Sequence, residues 1–335
     1  MALFLLGFSF VLILFSGCVR LTPPGITPIS SGSCRSAPLR WFAPDDIPER
    51  TRLDEWCAGV GEAAINPARA DTGAETIGME DVTFVSWNVH VGSGDIRAFV
   101  KDLTHGDHTD RRRVHHYVLM LQEVVRTQDV PLLAGRATGA ARIPAHAPVN
   151  PIDIVKIGSE LGLSLIYVPS MRNGRLAGDP AEDRGSAILS TLPLSEPIAV
   201  ELPGERQRRV VIIAKAGSTS VAVVHLDALG SNKRLRVFWT PWVRDMQVRA
   251  MASALPAGPL VVGADLNTWH GRDELAARFL RQLFRATPHS VNRQGLGLRV
   301  LDYMFFRAAP HQRARYTQVE RRYGSDHRPL VGWVE

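Results

Sequence analysis

The sequence predicts an α/β fold in which β-sheets pack on one another beneath a cover of helices. Three observations predict it. From Asp81 onward, short runs rich in Val, Ile and Leu alternate with stretches of helical apolar spacing. The runs outnumber the helical stretches, which argues against a doubly wound parallel sheet with one helix for each strand. The 335 residues, 45% hydrophobic and 21% charged, also hold enough apolar material for a large core and exclude a disordered or fibrous chain. The net charge of +6 leans towards anionic partners and selects none of them.

The chain opens on an apolar run, Ala2 to Phe15, without a charge. It is shorter than the ~20 residues that cross a bilayer and suits the hydrophobic region of a signal peptide. Ser16-Gly17-Cys18 follows and resembles a bacterial lipobox, which implies cleavage before Cys18, acylation of its thiol and anchoring to a membrane. Phe15 stands where a lipobox usually has Leu, and no Lys or Arg precedes the run, so a simple secretory signal or a short anchor are the other readings. Each places the remainder outside the cytoplasm. Residues 18–33, rich in Pro, Ser, Thr and Gly, read as a tether, and residues 34–80 as an N-terminal appendage. In an oxidising compartment Cys34 and Cys57 are expected to form a disulfide, with free thiols as the alternative. No Cys or His pair at ligand spacing supports a metal there.

Residues 81–335 form the main domain. Val82–Val89 and Tyr117–Val124 read as buried strands, and Arg126–Pro151 as a long loop at a site's rim. Ile152–Leu161 has helical spacing, broken at Gly162 ahead of a strand at Ser164–Val168. Strands follow at Ser186–Ser190, Arg209–Ala216 and Thr219–Leu226. Lys233–Leu255 reads as a long helix that Pro241 interrupts or starts. A strand at Leu260–Ala264, a helix at Arg272–Phe284, and closing strands at Leu298–Phe306 and Arg328–Val334 complete the domain.

Polar residues collect where these strands end. Asn88 closes the first, Glu123 the second and His225 another; Asp265 and Asn267 close Val-Val-Gly-Ala-Asp-Leu-Asn. Asp302 sits in Leu-Asp-Tyr-Met-Phe-Phe, and Asp326 and His327 open the last strand. Singly each suits a helix cap, a turn or a satisfied core position. Hard oxygen donors of this kind favour Mg²⁺, Mn²⁺ or Ca²⁺ over zinc.

Together, Asn88, Gln122-Glu123, Gly185-Ser186-Ala187-Ile188-Leu189-Ser190, His225, Gly263-Ala264-Asp265-Leu266-Asn267, Asp302 and Ser325-Asp326-His327-Arg328-Pro329-Leu330 resemble the endonuclease/exonuclease/phosphatase superfamily, the deoxyribonuclease-I-like fold. The likeness runs from Val82 to Glu335. It implies a four-layered α/β sandwich of two packed mixed sheets flanked by helices, and divalent-metal-dependent cleavage of phosphoesters. It also implies roles. Glu123 is the Mg²⁺ carboxylate, Asn88 completes or orients the metal shell, and Asp326 is a second metal-side carboxylate. Asp265 positions or deprotonates the attacking water, and Asn267 donates to a phosphate oxygen. His327, held by Asp302, contacts the phosphate. His225 is a phosphate donor or general acid, with Asp183 as its carboxylate partner.

Two basic clusters, Arg172-Asn173-Gly174-Arg175 and Arg206-Gln207-Arg208-Arg209, are candidates for substrate contact through Arg172, Arg206 and Arg208. Strand alternation puts Arg206 and Arg208 on one face and Arg209 on the other; a solvated rim is the alternative. Trp239 and Trp242 read either as core or as an apolar lip for lipid. The leading reading is a phosphodiesterase acting on nucleic acid or on a phospholipid headgroup. An inositol-phosphate-type phosphomonoesterase and a non-catalytic binding module on the same fold are the alternatives.

Overall fold

Most strands from Val82 onward are apolar on both faces, so each sheet must be covered twice. The computed structural model describes residues 25–32, 34–67, 76–127, 130, 142–143, 152–173, 182–228, 236–285, 287 and 300–335. In chain order the strands are β1 (Ile26–Ile29), β2 (Arg40–Pro44), β3 (Ala64–Asn66), β4 (Val82–Asn88), β5 (His116–Arg126), β6 (Arg142–Ile143), β7 (Ser164–Asn173), β8 (Asp183–Ser190), β9 (Leu194–Leu202), β10 (Arg209–Ala216), β11 (Thr219–His225), β12 (Leu260–Asp265), β13 (Asp302–Arg307), β14 (Ala314–Gln318) and β15 (Leu330–Val334). The helices are α1 (Ile47–Cys57), α2 (Ile96–His105), α3 (Ile154–Glu160), α4 (Arg236–Ala254) and α5 (Leu275–Leu283).

One mixed sheet has the order β1-β2-β9-β10-β11-β12-β13, and the other β14-β15-β4-β5-β8-β7-β3 with β6 beside β7. Period-two alternation divides their side chains among three cores. Phe84, Met120 and Ile188 of one sheet meet Ile212, Val223 and Phe306 of the other in the central layer. The opposite faces pack against helices: Trp87, Leu119 and Leu189 against Phe99 and Leu103 of α2, and Val211, Val224 and Val262 against Val248 and Met251 of α4. Helix, sheet, sheet, helix make four layers, the expected α/β sandwich.

Local signals missed in the sequence explain the additional helices. α2 carries apolar Ile96, Phe99, Val100 and Leu103 on one face; Asp95 caps it by accepting from the Ala98 N–H, and Gly106 ends it at φ 89°. α4 begins at Arg236 and contains Pro241 within its length. The tether and appendage are not separate from the sandwich. β1 pairs with β2, and β2 runs parallel to β9, so both extend a main sheet; β3 pairs with β7 in the other. Cys34 and Cys57 are joined by a disulfide with Cα atoms 5.3 Å apart. Arg126–Pro151 and Cys18 lie largely or wholly outside the described residues.

Candidate active site

Each sheet contains a central parallel pair, β4 with β5 and β11 with β12. At the carboxyl end of the first pair Asn88 lies beside Gln122; at the end of the second His225 lies beside Asp265, and Asp265 faces Asp302 at the start of β13. Packing the sheets face to face brings these two strand ends to one cleft. Gly263 makes the approach possible, because a Cβ there would sit 2.9 Å from Ser86 Oγ and from the Met120 Cβ of the opposite sheet.

Alternation along β5 would send Glu123 to the helix-covered face with Leu121. A β-bulge prevents this: the register slips between Gln122 and Val124, and Glu123 takes φ 55°. Its Oε1 then accepts from Asn88 Nδ2 at 3.2 Å and lies 3.9 Å from His225 Nε2. The same Asn88 amide donates to Asp265 Oδ2 at 2.9 Å, while its Oδ1 accepts from the His90 N–H. One asparagine therefore sets the spacing of two carboxylates from different sheets. Asn267, held at φ 50°, turns the chain so that its N–H meets Asp265 Oδ1 at 3.0 Å and its Nδ2 donates to the Leu226 carbonyl.

The two histidines are in opposite states. Burial works against a charge on His327, but Asp302, 2.8 Å from Nδ1, and then Asp265 and Asp326 overcome it and raise the pKa to about 10. Its Nδ1–H is spent on Asp302, which leaves a cationic Nε2–H at the cleft, 3.9 Å from Asp326 Oδ1. Burial, with the nearby Arg209 and His327 charges, pushes His225 well below its ordinary value, so it is neutral. Arg209 donates to His225 Nδ1 at 3.0 Å, which places the remaining proton on Nε2, 3.6 Å from Asp265 Oδ2. Asp265 itself is raised to about 6 by burial and by Asp302, against the lowering effects of His327, Asn88 and the Asn267 N–H. A carboxylate so poised suits a general base near neutrality.

The donors at Glu123 fit a hard divalent cation. Mg²⁺ is typically held by one or two carboxylates with waters and substrate phosphates, and the half-buried Glu123 side chain, 29% exposed, is one such carboxylate. Asn88 turns its NH₂ towards Glu123 and its oxygen towards His90, so it orients that carboxylate. Asp265, Asp302 and His327 also bring ligand atoms within 4.8 Å of one another, but His327 Nδ1 is engaged by Asp302.

The structure thus gathers Asn88, Glu123, His225, Asp265, Asn267, Asp302 and His327 in one cleft. Other expected residues lie elsewhere. Asp183 shares its face of β8 with Ala187 and Leu189, turned to the helices, where it pairs with Arg126 in place of His225. Arg208 faces the space between the sheets as alternation required, but that space is filled: its guanidinium is buried against Glu201, the Pro169 carbonyl and Cys34 Sγ. Asp326 stands at the exposed rim of the cleft, its Oδ1 3.0 Å from His90 Nδ1 and 3.9 Å from His327 Nε2. Arg206 is half-buried outside the cleft, and the side chains of Arg172 and Trp239 are outside the described residues. Trp242 is 43% exposed, so it is not core. Two residues were missed. Arg184 and Arg209, both buried, line a recess of ≈ 140 Å³ with Glu123, His225, Ser186 and Gln207. Alternation along β8, which puts Arg184 on the face of Ser186 and Ile188, was the available signal for the first.

The endonuclease/exonuclease/phosphatase family matches residues 85–327, from within β4 to the His327 turn. The chain belongs to that family. It is a metal-dependent phosphoesterase, as membership implies, and the residues of the cleft fit that chemistry. No curated protein matches the sequence. Among solved structures it is similar to the human Nocturnin catalytic domain with bound sulfate anion, at 15% identity and TM-score 0.50, covering 76% of this chain and 93% of that one. It is also similar to a family protein from Leptotrichia buccalis, at 12% identity and TM-score 0.45, over 76% and 99% of the two chains. A Neisseria 3′ phosphatase, NExo, bound to product DNA hairpin gives 15% identity and TM-score 0.42 over 76% and 99%. At 15% identity the likeness to the Nocturnin domain is one of fold.

Proposed function

We propose that this phosphoesterase is a phosphodiesterase that works outside the cytoplasm, anchored through an acylated Cys18. The observation that carries the catalytic part is the meeting, in one cleft, of a carboxylate raised to about 6 with two histidines in opposite charge states. Hydrolysis needs a water directed at phosphorus in line with the leaving oxygen, and donors for the charge that accumulates on the phosphate. Asp265 takes the proton of that water. The cationic His327 Nε2–H and the neutral His225 Nε2–H donate to phosphate oxygens, the former with a full charge behind it. His225, being neutral, gives a hydrogen bond and not a proton, so the leaving oxygen takes its proton from solvent water and Asp265 returns to solvent the one it took. A divalent ion bound at Glu123 would supply further neutralisation of the phosphate charge.

Export is supported by the apolar run ahead of Cys18 and by the Cys34–Cys57 disulfide, which belongs to an oxidising compartment. Labelled fatty acid is expected in wild type and absent from Cys18→Ala; absence from both would remove the anchor. Activity is tested on the purified chain with Mg²⁺ against DNA, RNA, sphingomyelin and inositol phosphates, with a Glu123→Ala, His327→Ala double variant as control. Diester cleavage by wild type alone supports the proposal. Release of inorganic phosphate from monoesters only, or equal activity in the control, overturns it.

A further inference from the structure

A buried guanidinium ordinarily has a carboxylate or several carbonyls around it, because an uncompensated buried charge is costly. Arg184 and Arg209 break this pattern side by side. They are 8% and 4% exposed, and neither forms an ion pair among the described residues. Among the described residues Arg209 donates to neutral partners, His225 Nδ1 and Gln207 Oε1, and its Nε has no partner, while Arg184 leaves both Nε and Nη2 unpartnered. Carboxylate charges act on them without a hydrogen bond, Glu123 and Glu182 on Arg184, and Asp227, Glu123 and Asp265 on Arg209. Both side chains wall the ≈ 140 Å³ recess, which also opens onto Glu123 and His225. It is therefore continuous with the cleft, while Asp265, Asp302 and His327 are not among its lining residues.

We infer that this recess binds a second phosphate group of the substrate, separate from the phosphoester that is cleaved. The inference rests on the reading of the cleft as the hydrolytic centre. Its chemistry is cationic: two guanidinium groups wall one recess, and a guanidinium is suited to phosphate oxygens. Ser186, on the same face of β8 as Arg184, adds a hydroxyl. A terminal nucleotide phosphate and a ring phosphate on a lipid headgroup share this chemistry, and the experiment separates them.

The test measures binding to the full purified chain in EDTA, where turnover is absent. Inorganic phosphate is expected to raise the melting temperature of wild type, because a ligand that binds only the folded state stabilises it by mass action. The shift should vanish in Arg184→Gln and persist in His327→Gln. Arg184→Gln removes a buried unpaired charge, so it is expected to fold at least as well as wild type. Two ligand pairs follow by calorimetry: a thymidine dinucleotide with and without a 5′-phosphate, and glycerophosphoinositol with and without a 4-phosphate. In one pair the phosphate-bearing member should bind wild type about tenfold more tightly, and Arg184→Gln should abolish the difference. The preferred pair names the source. Phosphate stabilisation lost in His327→Gln but kept in Arg184→Gln would put the anion at the hydrolytic centre and overturn the inference, as would equal binding within both pairs. Failure to hydrolyse any phosphoester refutes the function above without touching these binding results, so the two failures are distinguishable.

Discussion

Arg208 and Arg209 are neighbours in sequence, both buried, and they belong to opposite kinds of structure. Arg208 lies in a seam between the sheets and the N-terminal strands, where Glu201 takes two of its N–H groups at 2.6 and 2.9 Å and the Pro169 carbonyl takes another at 2.6 Å. Arg35 reaches the same Glu201 from the other side at 2.6 Å, and the Cys34–Cys57 disulfide lies against the cluster. Arg209 lies one residue on, in the cleft, without a carboxylate partner among the described residues. The seam holds charges that are spent on one another. The cleft holds, beside its paired His327 and Asp302, two arginines that are not, and the difference tells architecture from chemistry better than burial does.

The comparison predicts that substitutions in the cleft act on rate and substitutions in the seam on stability. The largest effect belongs to Asp265→Asn. Loss of the base is expected to lower turnover on the order of 10²–10⁴-fold. The melting temperature should hold or rise, since the folded protein raises this pKa to about 6 and so disfavours the carboxylate. Steady-state kinetics and thermal melts on the same preparation check both halves. A variant that loses stability along with rate would break the distinction. In the seam Glu201→Gln is expected to cost about 3–5 kcal/mol, because Arg208 and Arg35 would be left against a neutral group. Activity per folded molecule should stay at the wild-type level, as denaturant unfolding and active-protein assays would show.

The pH profile sharpens the cleft side. Asp265 must be ionised, so activity should fall as pH drops below about 6; His327 must be protonated, so it should fall again as pH rises towards about 10. The His327 pair has its own stability signature. Its folded pKa is raised, so the stabilisation is fully present below the unfolded value of about 6.5 and is lost as pH rises from there through about 10. His327→Gln should remove that slope from a plot of melting temperature against pH.

Much of this was legible in the sequence because the chemistry sits at strand ends, where an apolar run makes a polar residue conspicuous. Asn88, His225, Asp265 and Asn267 could be found that way. Glu123 could be found but not aimed, since its direction depends on a bulge that neither Gln122 nor Val124 announces. The pairing of Asp183 with His225 failed on strand parity: one residue along β8 reverses the face, and Arg184 points to the cleft instead. Arg208 failed for a different reason. Its face was right, but that face is filled by Glu201, by the Pro169 carbonyl of the opposite sheet and by Cys34, whose approach across 174 positions of sequence no local pattern announces.

The smallest prediction is also the most discriminating within the seam. Arg35 holds two carboxylates at the same distance, Asp54 Oδ1 and Glu201 Oε2, both at 2.6 Å. Distance alone would rank them equal. Their surroundings differ, because the Asp54 side chain is 53% exposed and that of Glu201 is fully buried. Water screens the first interaction and competes for it, and Arg35 keeps Glu201 as a partner when Asp54 is gone. Asp54→Ala is therefore expected to cost about 0.2–1 kcal/mol, falling further at high salt. Glu201→Gln should keep most of its larger cost at any ionic strength. A salt titration of the two unfolding free energies compares them directly. If Asp54→Ala proved as costly and as salt-insensitive as Glu201→Gln, proximity rather than burial would set the worth of these pairs, and the separation drawn between seam and cleft would lose its physical basis.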